Sequence, residues 1–169
     1  MYPRSSWNHH GNGYTLPYAN GSKKSRNAQP STMQLMDYGP YPFAANMKQV
    51  TQANTNFRTA LWTGTQLQIT LMSLLPGEDI GLEQHNDLDQ LIYIEQGKGM
   101  VMMGDQPNQP NFQQMVQEGS AFVIPAGQWH NLTNIAPVPL KLFSAYAPVQ
   151  HPKGTVHVTK ADAEATDTH

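Results

Sequence analysis

Glu83 and His85 stand two residues apart, and on an extended strand that spacing points both side chains to one face. The polar tetrapeptide Asn86-Asp87-Leu88-Asp89 then turns the chain, and Gln90 opens the next apolar run, whose strand is expected to run back beside that of Glu83 and His85. Much later the turn Pro125-Ala126-Gly127 precedes His130, again on a strand. Two imidazole nitrogens, a carboxylate and an amide oxygen form a donor set suited to a borderline-to-hard divalent ion. Four such ligands leave room for water or a substrate. The sequence contains no cysteine, which excludes both a thiolate site and a disulfide framework. Other arrangements stay open. His85 and Asp87 make an alternative His-x-Asp pair, although Asp87 and Asp89 sit in a polar turn that suits solvated carboxylates. Gln90 serves either as a ligand or as the hydrogen-bond partner of a bound water. If Glu83 stays off the ion it is the natural catalytic base, with a pKa that burial would raise toward neutrality.

Positioning such a set requires strands that meet around one lumen. Strand signals run at Phe57–Trp62, Gln66–Leu71, Ile80–His85, Gln90–Glu95, Gly99–Met103, Phe112–Val116, Ser120–Ile124, Trp129–Asn134 and Leu140–Ala147. Leu67, Ile69 and Leu71 alternate with Gln66, Gln68 and Thr70, the pattern of a strand with one wet face. Gly97, Gly104, Pro107, Pro110, Gly119, Pro125 and Gly127 punctuate the runs. Many short strands with frequent turns predict an all-β sandwich or barrel. The stretch 43–54 has room for a short strand and one or two helical turns. The end, from Thr159, reads as a short polar helix or a frayed tail. Alternation turns Trp129 away from His130 and puts Ile92 and Ile94 beside Gln90, so the pocket is expected to be mostly apolar. The run Met100–Met103 reads as barrel wall.

The chain has 169 residues, one domain's worth, and a formal charge of −2 that offers no attraction to nucleic acid or an anionic membrane. No apolar run approaches a membrane span, and the N-terminus lacks the apolar stretch of a secretory signal, so the expected location is cytoplasmic. Residues 1–36 are rich in Tyr, Asn, Gly, Pro and Ser and lack hydrophobic periodicity. They are expected to form a disordered or loosely attached arm, followed by a domain over 37–164 and a frayed tail over 165–169. His151 and His157 lie beyond the last long strand. They either fold back over the barrel mouth or belong to a surface tail, and the tail is the simpler reading.

The segments around the candidate ligands resemble the two motifs of the cupin superfamily. The first reads Gly77-EDIGL-Glu83-Gln84-His85-NDLD-Gln90-LIYIEQ-Gly97, with every spacing in place. Glu83 stands where the first His of that motif is usual, and Gln90 where its Glu is usual. The second reads Gly119-SAFVI-Pro125-Ala126-Gly127-QW-His130-NLT-Asn134, without a departure. The stretches NFRTALWTG, PGEDIGLEQH and YAPVQHPKGTVH are also similar to small bacterial cupins of the mannose-6-phosphate isomerase-like group. The resemblance implies a double-stranded β-helix, or jelly-roll barrel. It implies a single divalent ion (zinc, manganese, iron, cobalt or nickel) held by Glu83, His85, Gln90 and His130. The zinc-dependent type I phosphomannose isomerases resemble this set in ligand types, with the Glu and Gln places exchanged.

The resulting expectation is metal-assisted catalysis, for example by an isomerase or dioxygenase, on a small carbonyl, enolic or sugar-derived compound. The alternatives are a non-catalytic module that binds a small ligand, or a structural protein of a cell or spore surface in which the arm does the work. A homodimer is expected, with residues 37–57 contributing to its contacts.

Overall fold

In the computed structural model, residues 34–167 are described; the expected arm over 1–36 falls almost wholly outside them. Two short helices, α1 (Met47–Ala53) and α2 (Lys160–Asp167), flank a body of strands. The strands are β1 (Arg58–Thr63), β2 (Gln68–Leu74), β3 (Glu83–Gln84), β4 (Asp89–Gln96), β5 (Lys98–Gly104), β6 (Phe112–Gln117), β7 (Ala121–Ile124), β8 (Trp129–Asn134), β9 (Leu140–Ala147) and β10 (Val156–His157). They form a six-stranded sheet in the order β10-β1-β2-β9-β4-β7 and a four-stranded sheet in the order β3-β8-β5-β6. Every pairing is antiparallel. The two facing sheets make the expected all-β jelly-roll. No helix among the described residues is long and apolar enough to cross a membrane.

Alternation explains which residues enter the lumen. Leu142 lies opposite Met72 and Ile94, Ser144 opposite Thr70 and Ile92, and Tyr146 opposite Gln68 and Gln90. From the smaller sheet Val101, Leu132 and Val116 face them across the interior. Ile92, Ile94, Leu132 and Leu142 are fully buried, and each such side chain contributes about 1.5–3 kcal/mol by leaving water.

The outer face of the larger sheet is covered as well. Leu61 and Leu71 pack there with Val50 of α1, and Leu35, Tyr38, Phe43, Ile69 and Phe143 close around them. This corrects the reading of β2 as a strand with one wet face. Gln68 and Thr70 are fully buried on the lumen side, and the leucine face is sheathed by residues 35–50.

Three other expectations change. Residues 43–46 form no strand. Instead Asn46 caps α1 by accepting a hydrogen bond from the Gln49 amide. Lys141 then closes the other end of α1, donating from Nζ to the carbonyls of Gln52 at 2.7 Å and Asn54 at 2.6 Å. The long strand expected over 80–85 shrinks to β3, preceded by a single bridge between Asp79 and Thr133. Finally, β4 does not run beside β3: the corner at 86–88 carries the chain from the smaller sheet to the larger one.

Candidate metal centre

β3 and β8 pair in the register Glu83 opposite His130 and Gln84 opposite Trp129. Directly opposed residues share a face, so Glu83 and His130 both enter the lumen, and the two-residue period adds His85. A turn locks this arrangement. Gly127 has φ of 83°, a left-handed conformation that favours glycine, and its amide donates to the His85 carbonyl at 2.7 Å. Gln84 Nε2 donates to the Gly127 carbonyl at 2.8 Å, and the Ala126 amide donates to Asp89 Oδ1. Asp89 is therefore spent on the turn, and Asp87 is exposed. Neither joins the cluster.

The ligating atoms of Glu83, His85 and His130 all lie within 4.8 Å of one another. Glu83 Oε1 is 3.5 Å from His85 Nε2 and 3.3 Å from His130 Nε2. Two ligands each ~2.0–2.2 Å from one tetrahedral zinc ion stand ~3.3–3.6 Å apart, so the spacing fits that coordination. His130 is 1 % exposed, and its Nδ1 donates to the Gln128 carbonyl at 3.0 Å. That bond turns the Nε2 lone pair toward Glu83, the usual way a ligating imidazole is oriented. On β4, Gln90 is buried and donates from Nε2 to Ser144 Oγ at 3.2 Å. Its Oε1, His85 Nε2 and His130 Nε2 are buried with no hydrogen-bond partner. Each such atom costs about 1–3 kcal/mol when left unsatisfied, and a cation held among Glu83, His85 and His130 would remove the cost for the two imidazoles.

The electrostatics of Glu83 reverse the expected direction. Burial alone raises its pKa, but the His130 and His85 imidazoles 3.3 and 3.5 Å away, which favour the anion when they are protonated, outweigh it and hold the carboxyl at about 2. Glu83 is thus an anion ready to take a cation without first losing a proton.

His151 and His157 are buried, in contrast to the surface-tail reading. Gln68 grips the His151 backbone at both ends, accepting from its amide and donating to its carbonyl, each at 2.8 Å. The His151 ring stands edge-on to Tyr146 at 5.3 Å, and Tyr146 stands edge-on to His85 at 6.1 Å. Burial, and then the nearby Arg58 cation, push the His151 pKa down to about 3, so its imidazole stays neutral. Burial raises the Tyr146 pKa. A cavity of about 410 Å³ opens beside Glu83, lined also by Phe57, Arg58, Ile80 and Lys160. Arg58 and Tyr146 are lumen residues that the sequence reading did not single out, whereas His151 follows the alternative in which it folds back over the barrel mouth. The available signal was a charged Arg58 inside an otherwise apolar strand run. Trp129 does turn away from His130, and it lines a separate surface pocket with Met102 and Pro107.

Residues 70–146 match the family model described as the cupin domain. The chain is 57% identical over 133 residues to the uncharacterized protein YrkC of Bacillus subtilis (strain 168), covering 79% of this chain and 72% of that one. It is 36% identical over 119 residues to the uncharacterized protein L612 of Acanthamoeba polyphaga mimivirus, covering 70% and 72%. The crystal structure of BH2720 from Bacillus halodurans superposes with a TM-score of 0.76 at 54% identity, over 77% of this chain and 98% of that one.

Proposed function

We propose, for a chain that belongs to the cupin family, a lumen that binds one divalent ion through Glu83, His85, Gln90 and His130 and acts on a small carbonyl, enolic or sugar-derived compound. The observation that carries this reading is the meeting of Glu83 Oε1 with two buried, partnerless imidazole nitrogens at 3.3 and 3.5 Å. Gln90 completes the set because its free Oε1 lies on the lumen face of β4. A bound zinc, manganese, iron, cobalt or nickel ion would supply Lewis acidity toward a carbonyl, an enediol or water. The chain's own residues do the rest. Glu83 gives the one anionic ligand, and a carboxyl with a pKa of about 2 is a poor general base at neutral pH. Glu83 is therefore proposed as a ligand rather than as the proton acceptor. Ile92, Ile94 and Leu132 exclude water from the inner end, which strengthens every charge interaction there. Isomerisation, as in the mannose-6-phosphate isomerase-like group, and oxygenation are both compatible with this arrangement.

Elemental analysis of protein purified without a His tag tests the reading. About one divalent ion per chain is expected. His130→Ala, which removes one of only two imidazole ligands, should strip most of it. Full metal occupancy in that variant refutes the ligand set. A wild-type protein that takes up no metal would favour the small-ligand-binding alternative.

A further inference from the structure

Arg58 is only 2 % exposed on β1, where it stands opposite Met72 and His157. It lines the same cavity as Glu83. Its Nη1 lies 3.5 Å from His157 Nδ1, and its Nε is buried without a partner. No ion pair among the described residues involves it. The Phe57 ring, 5.6 Å from its guanidinium carbon, offers quadrupole attraction but no counter-charge. The other cation of the cavity, Lys160, is already paired with Asp79 and Glu164. Two carboxylates line the cavity: Glu164, 3.8 Å from Lys160, and Glu83, which lies against His85 and His130. A guanidinium taken out of water without an anion is costly, and its planar fork is matched to carboxylate and phosphate oxygens.

The charges around the cavity point the same way. Glu83 is the sole charged ligand of the proposed centre, so a divalent ion there keeps one positive charge in excess, and Arg58 adds a second. Lys160 and Glu164, the other charged residues of the cavity lining, offset each other, so a neutral ligand leaves both positive charges uncompensated, whereas an anion offsets one or both.

We propose that the cavity takes a small organic oxyanion, a carboxylate or a phosphate, whose anionic group lies on Arg58 while a further oxygen faces Glu83, His85 and His130. The second contact rests on the metal-centre reading; the first does not. His151, clamped by Gln68 and with its Nε2 partnerless, adds a neutral polar group to the same lumen. The site thereby selects acids over uncharged polyols of the same size.

The test titrates glycolate, inorganic phosphate and ethylene glycol into untagged protein, both zinc-loaded and chelator-stripped, with binding followed by calorimetry. In zinc-loaded wild type at least one anion should bind about tenfold or more tighter than ethylene glycol, the discrimination expected of a charge-assisted hydrogen bond. Glycolate ahead of phosphate assigns a carboxylate ligand, and the reverse order a phosphate. Arg58→Gln should abolish the preference while retaining zinc, and Arg58→Lys should restore part of it. Equal binding of all three probes to wild type overturns the proposal without recourse to any variant. So does an undiminished preference in a folded Arg58→Gln. If wild type takes up no zinc, the metal-centre reading fails on its own. The Arg58 assignment is then decided on the stripped protein, where Arg58-dependent anion binding upholds it and its absence overturns it.

Discussion

His151 gives a pH dependence whose size follows from its burial. Its imidazole has an ordinary pKa of 6.5 in an unfolded chain and one of about 3 in the fold. Between those values the unfolded chain binds a proton that the folded one refuses, so stability must fall as pH drops below 6.5 and level off near 3. Between pH 7 and pH 5 the loss from this residue is about 2 kcal/mol. That figure depends little on the folded value, because any folded pKa well below 5 leaves the native imidazole neutral throughout the window. Glu83 does not obscure it. A carboxyl depressed from 4.5 to about 2 stabilises the fold above 4.5 and loses that contribution only as pH falls toward 2. The perturbation is His151→Gln, which cannot protonate in either state. Urea unfolding of chelator-treated protein at the two pH values gives four stabilities and one difference of differences. Wild type should lose about 2 kcal/mol more than the variant, or roughly 4–8 °C in melting temperature for a domain of this size. An identical pH dependence in both proteins would show that His151 is wet in solution, and the lumen packing described around Tyr146 would be wrong.

Gln90→Glu should tighten metal binding by adding a second carboxylate, and Gln90→Ala should weaken it less than His130→Ala does; metal-buffer titrations rank all three. Gly127→Val should cost about 1–2 kcal/mol from the left-handed backbone alone, and it should also lower metal affinity by loosening the Gly127–His85 hydrogen bond. Urea unfolding and metal titration of that variant measure the two effects separately. We also propose a homodimer, for which the adjacent exposed pair Leu91 and Val123 on the outer face of β4 and β7 is one candidate contact. Light scattering that returns the monomer mass of 18.8 kDa at micromolar concentration would refute it.

The strands were legible wherever alternation and a turn residue coincided. Gln90 to Glu95, bounded by Asp89 and Gly97, emerged as β4 with Ile92 and Ile94 inside, as expected. Glu83, His85 and His130 were legible as a cluster because a two-residue period and a turn are local facts. What escaped was non-local. A polar corner at 86–88 looks the same whether the chain folds back within one sheet or crosses to the other. The burial of His151 depends on Gln68, 83 positions away along the chain. The face of β2 that carries Gln68 and Thr70 looked solvated because a polar lumen and open water leave the same mark on a sequence. The pKa of Glu83 was misjudged for a related reason: its apolar neighbours are visible in sequence, but two imidazoles at hydrogen-bonding range are a property of the fold.

The two-sided burial of β9 bears on how the chain finds its pairing. Leu142, Ser144 and Tyr146 serve the lumen, whereas Lys141 and Phe143 serve the sheath around α1. A slip of one residue against β2 and β4 would exchange the two sets. It would drive the Lys141 ammonium in among the apolar lumen residues Met72 and Ile94 without the Gln52 and Asn54 carbonyls, at a cost of several kcal/mol, and eject Tyr146 from the lumen. In β9 the lysine acts as a proofreader of register, checking the alignment of the central strands before the lumen can close.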